Sequence, residues 1–323
     1  MRLFVTGGTG YIGSEFCRRT IDQGHRVRAL VRSTSDTREL ESMGAELFVG
    51  DITDRYSMRE GMSGSDWVVH AAAELDFSAD SNRIEGANVA GSENVASLAY
   101  KLGVGRVLAL SSIAAFGGSP ADGSAVAEDA PLELPFPSSY SATKRAGEDA
   151  FVAWTERGLK LNIIWPSLVY GPPGKKGGLN TVLRAIINRR LPAVVGADRM
   201  TRWVFLTDLV EGMVAVIERS EPGEDFMMTG DLAPLGEVFD QAAAMAGVAP
   251  LRQMSVGWAK FLGRLLNPVF RLRGRVPPIN LSHLESLRRQ WNFDDGKARR
   301  LLDWQSRSLA EGLAETIRYL QQA

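Results

Sequence analysis

The sequence predicts an α/β protein built on a doubly wound parallel sheet, with a smaller, mostly C-terminal lobe. Short apolar runs alternate with helix-like segments, a rhythm typical of right-handed βαβ units. A glycine-rich loop follows the first apolar run at once, and the rhythm fades after about residue 171. The sheet is therefore expected in the first part of the chain, with a second lobe after it.

The predicted strands are short runs rich in Val, Ile, Leu and Phe, a composition typical of strands that are buried on both faces. They cover residues 3–7, 27–31, 45–50, 66–72, 106–112 and 161–165. Parallel sheets bind their ligands at the carboxyl ends of the strands. The residues at those ends are Gly7, Arg32, Asp51, Ala71, Ala72, Ala73, Ser111, Ser112 and Pro166.

The chain after residue 171 has a looser pattern. GPPGKKGG is interpreted as a loop, residues 179–190 as a helix, and RWVFLTDLVEGMVAVIER as a strand followed by a helix with Asp208 as its N-cap. We expect residues 1–171 plus about 201–230 to form the sheet domain. Residues of about 172–200 and 231–323 are assigned to a substrate-binding lobe and C-terminal helices.

The composition excludes several classes of function. A net charge of −1 on 323 residues gives no bias toward nucleic acid. Cys17 is the single cysteine and the chain has three scattered histidines, so we expect neither a disulfide nor a metal site. No basic and apolar leader follows Met1, and no apolar run reaches the ~18 residues that span a bilayer. The expected location is the cytoplasm.

The segment TGGTGYIG, residues 6–13, predicts a dinucleotide-binding loop. Glycines there permit a tight turn, close approach of backbone N–H groups to a pyrophosphate, and close helix packing. The alternative is a plain glycine turn. The loop residues expected to contact the cofactor are Gly7, Thr9, Gly10, Tyr11, Ile12 and Gly13.

The end of the second strand distinguishes between the two nicotinamide cofactors. An acid at this point binds the ribose 2′-hydroxyl of NAD, whereas an arginine binds the 2′-phosphate of NADP. Arg32 favours NADP. Alternatively, Arg32 is a surface charge, and Asp36 or Asp51 serves an NAD ribose. Asp51 and Ile52 are also expected near the adenine, and His70 is expected to be packed in the core.

SSYSATKRAG places Tyr140 and Lys144 four positions apart, on one face of a predicted helix. A nearby positive charge lowers the pKa of a phenol and makes it a better partner in proton transfer. Taken alone, this spacing also occurs by chance in many helices.

Together, TGGTGYIG, SSIAAFG and YSATK resemble the extended short-chain dehydrogenase/reductase family. The segments at 88–95, 165–172 and 205–212 and the C-terminal stretch also look like family landmarks. The resemblance implies a Rossmann-type fold, a nicotinamide cofactor, and catalysis by Ser112, Tyr140 and Lys144. It also implies that Lys144 holds the nicotinamide ribose. Further cofactor neighbours implied are Asn88, Ser111, Pro166 and Val169.

Some residues depart from the pattern of family members that act on nucleotide sugars. Trp165 and Leu168 stand where those enzymes carry a diphosphate-binding arginine and asparagine, and Thr201 replaces a second arginine, although Arg199 and Arg202 are close. Residues 113–115 replace the Thr-Asp-Glu of the dehydratases. The departures favour an apolar substrate, as in the dihydroflavonol 4-reductase-like and 3β-hydroxysteroid dehydrogenase-like branches.

The sequence hypothesis is an NADP-dependent enzyme that interconverts a ketone and a secondary alcohol on a flavonoid-, sterol- or acyl-like molecule. A nucleotide-sugar 4-epimerase with tightly bound NAD is one alternative, and a non-catalytic NADP-binding sensor or scaffold is another. Residues 255–275 form an amphipathic basic helix with three interpretations: ordinary packing, a lid over the substrate, or a peripheral membrane contact. Residues 151–158 are a candidate contact in a homodimer.

Overall fold

The computed structural model describes residues 1–74, 81–174, 178–272 and 281–322. The strands are β1 (Arg2–Thr6), β2 (Arg26–Val31), β3 (Glu46–Val49), β4 (Trp67–His70), β5 (Arg106–Leu110), β6 (Leu161–Pro166), β7 (Leu168–Tyr170), β8 (Val194–Val195), β9 (Met200–Phe205), β10 (Phe226–Met228), β11 (Asp231–Pro234) and β12 (Gln253–Met254). The helices are α1 (Tyr11–Asp22), α2 (Arg38–Met43), α3 (Arg59–Met62), α4 (Ser81–Glu85), α5 (Gly91–Lys101), α6 (Ser139–Thr155), α7 (Asn180–Ile187), α8 (Leu206–Arg219), α9 (Leu235–Met245), α10 (Val256–Leu272), α11 (Leu281–Ser286), α12 (Gly296–Leu302) and α13 (Leu309–Gln322).

The main sheet has seven strands in the order β10-β6-β5-β4-β1-β2-β3, and each neighbouring pair is parallel. This confirms the predicted α/β fold with a doubly wound sheet. All six predicted strands belong to it. The sequence prediction missed β10, because three residues are too few for a recognisable pattern. β10 is fixed by pairing with β6.

Apolar side chains on both faces of the sheet explain the layers of helices. Alternate residues of a strand point to opposite faces. Leu3 and Val5 of β1 join a buried cluster with Phe16 of α1 and Leu209 of α8. Phe4, between them, joins the cluster on the other face, which includes residues from α5 and α6. The sheet is therefore covered on both sides, and its carboxyl edge is the part left for a ligand.

A three-stranded sheet, β11-β9-β7, lies outside the main sheet and has its own apolar core. The strand predicted before α8 is β9, and it belongs to this smaller sheet. The predicted N-cap of α8 is wrong, because the helix begins at Leu206 and Asp208 lies in its first turn. The Asp208 carboxylate accepts hydrogen bonds from the Arg307 backbone N–H at 2.7 Å and from its guanidinium, which fixes the C-terminal segment.

The predicted helix at 179–190 is the shorter α7, and the predicted helix at 255–275 is α10. Residues 273–275 of that prediction lie outside the described residues. Among the described helices, none has the length and apolar character needed to cross a membrane.

Candidate active site

The glycine loop after β1 is shaped by backbone contacts that a side chain would block. Gly7 has φ +76°, and a Cβ there would lie 2.6 Å from the Ala72 backbone N. A Cβ on Gly13 would lie 2.1 Å from the Gly7 carbonyl oxygen. The Gly10 N–H donates to that same carbonyl at 2.9 Å. These contacts hold a compact loop at the N-terminus of α1, where backbone N–H groups favour an anion.

Tyr11 connects this loop to the chain after β7. Its hydroxyl donates to the Gly171 carbonyl at 2.5 Å and accepts from the Asn180 amide at 3.2 Å. Burial raises the pKa of Tyr11 above its ordinary value, so the phenol stays protonated. Thr9 and Gly10 are exposed, and Ile12 is half-buried. The side chain of Tyr11 therefore acts as a structural link, and the exposed part of the loop is Thr9 and Gly10.

The end of β2 carries Arg32, which is exposed. Its backbone N–H donates to the Ser35 hydroxyl at 3.2 Å, so the turn is ordered. Within the described part of the chain, the Arg32 side chain forms no ion pair. Asp36, the acid closest in sequence, accepts hydrogen bonds from Arg38, which lower its pKa to about 2. A cation is therefore free at this position and the nearby carboxylate is already paired.

The next two strand ends supply Asp51 and the alanine run. Asp51 Oδ1 accepts from the backbone N–H and the hydroxyl of Thr53, at 2.9 and 2.8 Å, and Ile52 is buried. Residues 71–73 are half-buried, and their backbone passes close to Gly7. The structure thus brings Gly7, Asp51 and the alanine run to one edge of the sheet, as the parallel topology requires.

His70 has the packed environment that the sequence suggested. It is buried, shares a 2.8 Å hydrogen bond with the Thr6 hydroxyl, and has its ring 5.4 Å from that of Phe151. Burial lowers the pKa of His70 to about 3, with a smaller effect from Lys144. His70 is therefore neutral near pH 7 and belongs to the core. Among the described residues, no group of His, Cys, Asp and Glu is arranged to hold a metal ion.

Ser112, Tyr140 and Lys144 meet where β5 ends and α6 begins. The Ser138 hydroxyl caps α6 by accepting from the Ser141 N–H at 3.1 Å, which fixes the first turn that carries Tyr140. Ser112 caps the short 3₁₀ helix Ile113–Phe116. A hydrogen bond joins the Ser112 and Tyr140 side chains. The two hydroxyls are thus adjacent on separate, well-fixed elements.

The protonation of Tyr140 and Lys144 differs from the sequence expectation. Burial raises the pKa of Tyr140 to about 12, and the hydrogen bond with Ser112 opposes that rise. The expected lowering of this pKa by Lys144 is not found. The Lys144 ammonium donates to the Leu110 carbonyl at 2.8 Å. Burial lowers the pKa of Lys144 itself to about 8. In the protein alone, Tyr140 is therefore protonated near pH 7.

Glu148 is a neighbour of this site that was not predicted from the sequence. It is buried, lies one turn after Lys144 on α6, and accepts hydrogen bonds from the Ser111 hydroxyl and, at 2.8 Å, from the Trp165 indole N–H. Burial raises its pKa to about 7, against the effects of both hydrogen bonds and of Lys144. The sequence signal for this neighbour is its position, an acidic residue one helical turn after Lys144. Ser111 is therefore bonded to Glu148.

Asn88 is buried, and its amide is used by the protein. Its Oδ1 accepts from the Glu74 N–H at 2.8 Å, and its Nδ2 donates to the Glu74 carbonyl and the Thr143 hydroxyl, both at 3.2 Å. Asn88 therefore fastens the chain after β4 to α6. Its contact with a cofactor stays a prediction.

The segment after β6 is also fixed by backbone contacts. Pro166 and Val169 are buried, and the Ser167 hydroxyl donates to the Thr229 carbonyl at 2.7 Å. Pro166 ends a strand of the main sheet, and Val169 lies in β7, which pairs with β9. This turn joins the two sheets at the carboxyl edge.

The arginines weighed as diphosphate ligands are engaged within the protein. The Arg202 guanidinium donates to Asn292 Oδ1 at 2.9 and 3.1 Å and to the Gly230 carbonyl at 2.9 Å. Arg199 pairs with Asp198 at 2.8 Å, and Thr201 is buried. The Arg202 guanidinium is thus already hydrogen-bonded within the protein.

Comparisons with known proteins agree with this arrangement. A family model described as the NAD dependent epimerase/dehydratase family matches residues 3–228. A 4-hydroxy-2-methyl-3-oxo-4-farnesyl-3,4-dihydroquinoline-1-oxide ketoreductase of Stigmatella aurantiaca is 30% identical over 317 residues, covering 95% of this chain and 92% of that protein. A putative dihydroflavonol 4-reductase of Synechocystis sp. is 26% identical and covers 98% of this chain and 94% of that protein.

The fold of this chain is also similar to a solved structure. The crystal structure of gox2253 matches with a TM-score of 0.85 and 27% sequence identity, covering 99% of this chain and 98% of that one. The family model covers most of the main sheet and both segments that carry Ser112, Tyr140 and Lys144. The chain therefore belongs to the NAD dependent epimerase/dehydratase family of extended short-chain dehydrogenases/reductases, and it is an NAD(P)-dependent enzyme.

Proposed function

We propose that the protein is an NADP-dependent oxidoreductase that interconverts a ketone and a secondary alcohol on an apolar small molecule. The hydrogen-bonded Ser112–Tyr140 pair at the carboxyl edge of the sheet carries this proposal. The relative named for reduction of a farnesyl-bearing ketone supports it. In this proposal, residues 1–171 and about 201–230 hold the cofactor, and residues of about 172–200 and 231–323 form the substrate lobe.

The loop after β1 fits a dinucleotide because its backbone is exposed in a cradle that a Cβ at Gly7 or Gly13 would fill. Lys144 would hold the nicotinamide ribose, and Arg32 the 2′-phosphate. The other residues proposed to hold the cofactor are Thr9, Gly10, Tyr11, Ile12, Asp51, Ile52, Ala71, Ala72, Ala73, Ser111, Tyr140, Pro166 and Val169, with Asn88 acting through its neighbours.

The preference for NADP follows from the charges at the end of β2. Arg32 is exposed and forms no ion pair among the described residues, so its guanidinium is available to a phosphate. Asp36 would be the nearest acid for an NAD ribose, and it is already bonded to Arg38. Binding of the NAD ribose by Asp36 would require breaking the Asp36–Arg38 ion pair.

The chemistry assigns one role to each polar side chain. When bound, NADPH supplies a hydride to the carbonyl carbon. Tyr140 donates its proton to the carbonyl oxygen, and Ser112 hydrogen-bonds the same oxygen, which stabilises the charge that develops there. A pKa of about 12 keeps Tyr140 protonated at neutral pH, which is the state that a proton donor needs. Oxidation of the alcohol runs through the same groups in reverse.

The apolar substrate is inferred from what surrounds the reacting groups. The Trp165 indole N–H donates to Glu148, and the Leu168 side chain has no polar group. Arg202 is bonded to Asn292 and Gly230. A diphosphate that bound Arg202 would displace these existing hydrogen bonds, whereas an apolar ligand would leave them intact.

The test begins with cofactor-stripped protein titrated with NADPH and with NADH, using nicotinamide fluorescence. We expect NADPH to bind at least about tenfold more tightly, a difference of about 1.4 kcal/mol. NADPH oxidation is then measured with cyclic and long-chain apolar ketones, with UDP-glucose as the comparison ligand. Retention of NAD through purification together with UDP-glucose binding would favour an epimerase. Cofactor binding without turnover on any ketone would favour a sensor.

A further inference from the structure

The helix α10 exposes large apolar side chains to solvent. Trp258, Phe261 and Leu265 are 61%, 58% and 60% exposed. Their spacing of three and four residues puts them on one face of the helix. The Trp258 and Phe261 rings are in edge contact, with centroids 5.5 Å apart. These side chains form a continuous surface, which we call the α10 apolar face.

The opposite face of α10 packs on the protein through small residues. Ala259 and Asn267 are buried there, and Gly263 lies between them. Lys260 forms an ion pair with Glu285 of α11, which anchors the helix. An ordinary amphipathic helix buries its large apolar residues. In α10, Trp258, Phe261 and Leu265 face outward, so ordinary core packing, one of the three interpretations of this segment, is wrong for this side of the helix.

The charge of this region is opposite to that of the remaining chain. Residues 251–284 contain six basic and no acidic residues, and the rest of the chain carries a net charge of −7. The basic residues are Arg252, Lys260, Arg264, Arg271, Arg273 and Arg275. Arg264 is exposed on α10. The asymmetry means that an anionic surface attracts this segment and repels the remaining molecule, which orients α10 toward that surface.

We propose that α10 docks on an anionic phospholipid surface, with Trp258, Phe261 and Leu265 entering the lipid interface. An exposed apolar face with basic residues and no acids is the pattern of a helix that lies in the interface plane, and aromatic side chains favour that depth. The helix has 17 residues, about 25 Å in length, and would lie flat on the membrane surface.

A second copy of this chain fits the same face poorly. Self-association through α10 would bring two strongly basic segments together, and like charges repel. A lipid headgroup layer supplies the opposite charge over the whole length of the helix. The proposal does not depend on the proposed reaction, since it concerns a surface outside the carboxyl edge of the sheet.

Vesicle sedimentation with the full chain tests the proposal. One set of vesicles contains phosphatidylcholine and phosphatidylglycerol at 70:30, and the other contains phosphatidylcholine alone. We expect the wild type to sediment with the anionic vesicles and to be released by high salt. The triple variant Trp258→Ser, Phe261→Ser, Leu265→Ser should bind at least tenfold more weakly.

A matched control separates this face from exposed apolar residues in general. Val49 and Tyr56 are 69% and 73% exposed and lie outside α10, so the variant Val49→Ser, Tyr56→Ser should sediment like the wild type. The triple variant should keep the wild-type Tm and NADPH affinity, which shows that it is folded.

Three outcomes would overturn the proposal. The first is absence of wild-type binding to the anionic vesicles, and the second is equal binding to both vesicle types. The third is seen by light scattering without lipid: a wild-type dimer that becomes a monomer in the triple variant would make this face an interface between two copies.

Discussion

The ends of β1 and β2 and the ends of β5 and β6 lie on the same edge of one sheet, but they are built differently. The first region is a backbone cradle around Gly7 and Gly13, with an exposed cation at Arg32. The second is a set of side chains with pKa values shifted by burial, including Tyr140, Lys144 and Glu148. Under the proposed function, the first region would hold the phosphates of the cofactor, and the second region would carry the proton transfer.

The largest effect is expected in the second region, from Tyr140→Phe. Removal of a positioned proton donor should lower kcat by about 10²–10⁴-fold. NADPH affinity should fall much less than kcat, because the phenol is one of many groups proposed to hold the cofactor and lies outside the glycine cradle. Steady-state turnover on an identified ketone and an NADPH titration measure the two quantities. An unchanged kcat would remove Tyr140 from the mechanism.

A large effect on binding is expected in the first region, from Gly13→Ala. The added Cβ would lie 2.1 Å from the Gly7 carbonyl oxygen, so the loop must shift, which costs about 1–3 kcal/mol. NADPH affinity should fall by at least about tenfold and Tm should decrease. Gly86→Ala is the control, because a Cβ there meets no atom within 4 Å. Equal affinities in both variants would contradict the close-packed cradle.

A pH-dependent effect on stability is expected from Glu148→Gln. The pKa of Glu148 is raised to about 7, above its ordinary value of 4.5. Its contribution to stability is therefore complete below pH 4.5 and is lost as the pH rises through 7. Glutamine can accept the same hydrogen bonds without ionising. At pH 8 the variant should therefore have a higher Tm than the wild type, and its free energy of unfolding should be larger by up to about 3 kcal/mol. The gain should shrink at pH 5.

The control for this prediction is Asp149→Asn, which removes an exposed acid from the same helix and should show no such pH dependence. Glu148 also favours the charged form of Lys144, and Arg145 is the other cation near it. Glu148→Gln should therefore move the high-pH loss of turnover to lower pH. A Tm gain at pH 5 as large as at pH 8 would show that ionisation of Glu148 is not the cause.

The smallest effect is expected from Arg32→Ala. This variant should bind NADPH about tenfold more weakly, because it loses one exposed contact with the 2′-phosphate, and it should bind NADH as the wild type does. Arg26→Ala is matched to it, since Arg26 is an exposed arginine at the opposite end of β2. Equal losses in the two variants would attribute the effect to net charge.

The sequence was sufficient where a short spacing reflects a local geometric requirement. The glycines of residues 6–13 indicate a loop in which backbone segments lie close together. The four-residue spacing of Tyr140 and Lys144 indicates that both lie on one face of a helix. Alternation of apolar runs gave six of the seven strands of the main sheet. The expected loop, sheet and catalytic cluster therefore lie together at one edge.

The remaining features depend on contacts between distant residues. Glu148 looks like an ordinary surface acid until β6 places Trp165 against it. Asp208 looks like an N-cap, but it is bonded to Arg307, 99 residues later. The periodicity of α10 predicts an amphipathic helix, yet it cannot tell which face packs on the protein. Tertiary contacts determine these three environments, and a local sequence pattern carries no information about such contacts.

The division between the two regions is tested most directly by the single-turnover rate of the Gly13→Ala variant at saturating NADPH, measured beside Tyr140→Phe. We expect that Gly13→Ala, once loaded with cofactor, reduces the ketone at a rate close to that of the wild type, while Tyr140→Phe remains slow at any NADPH concentration. A saturated Gly13→Ala variant as slow as Tyr140→Phe would contradict the division, because the glycine cradle would then take part in the chemistry itself.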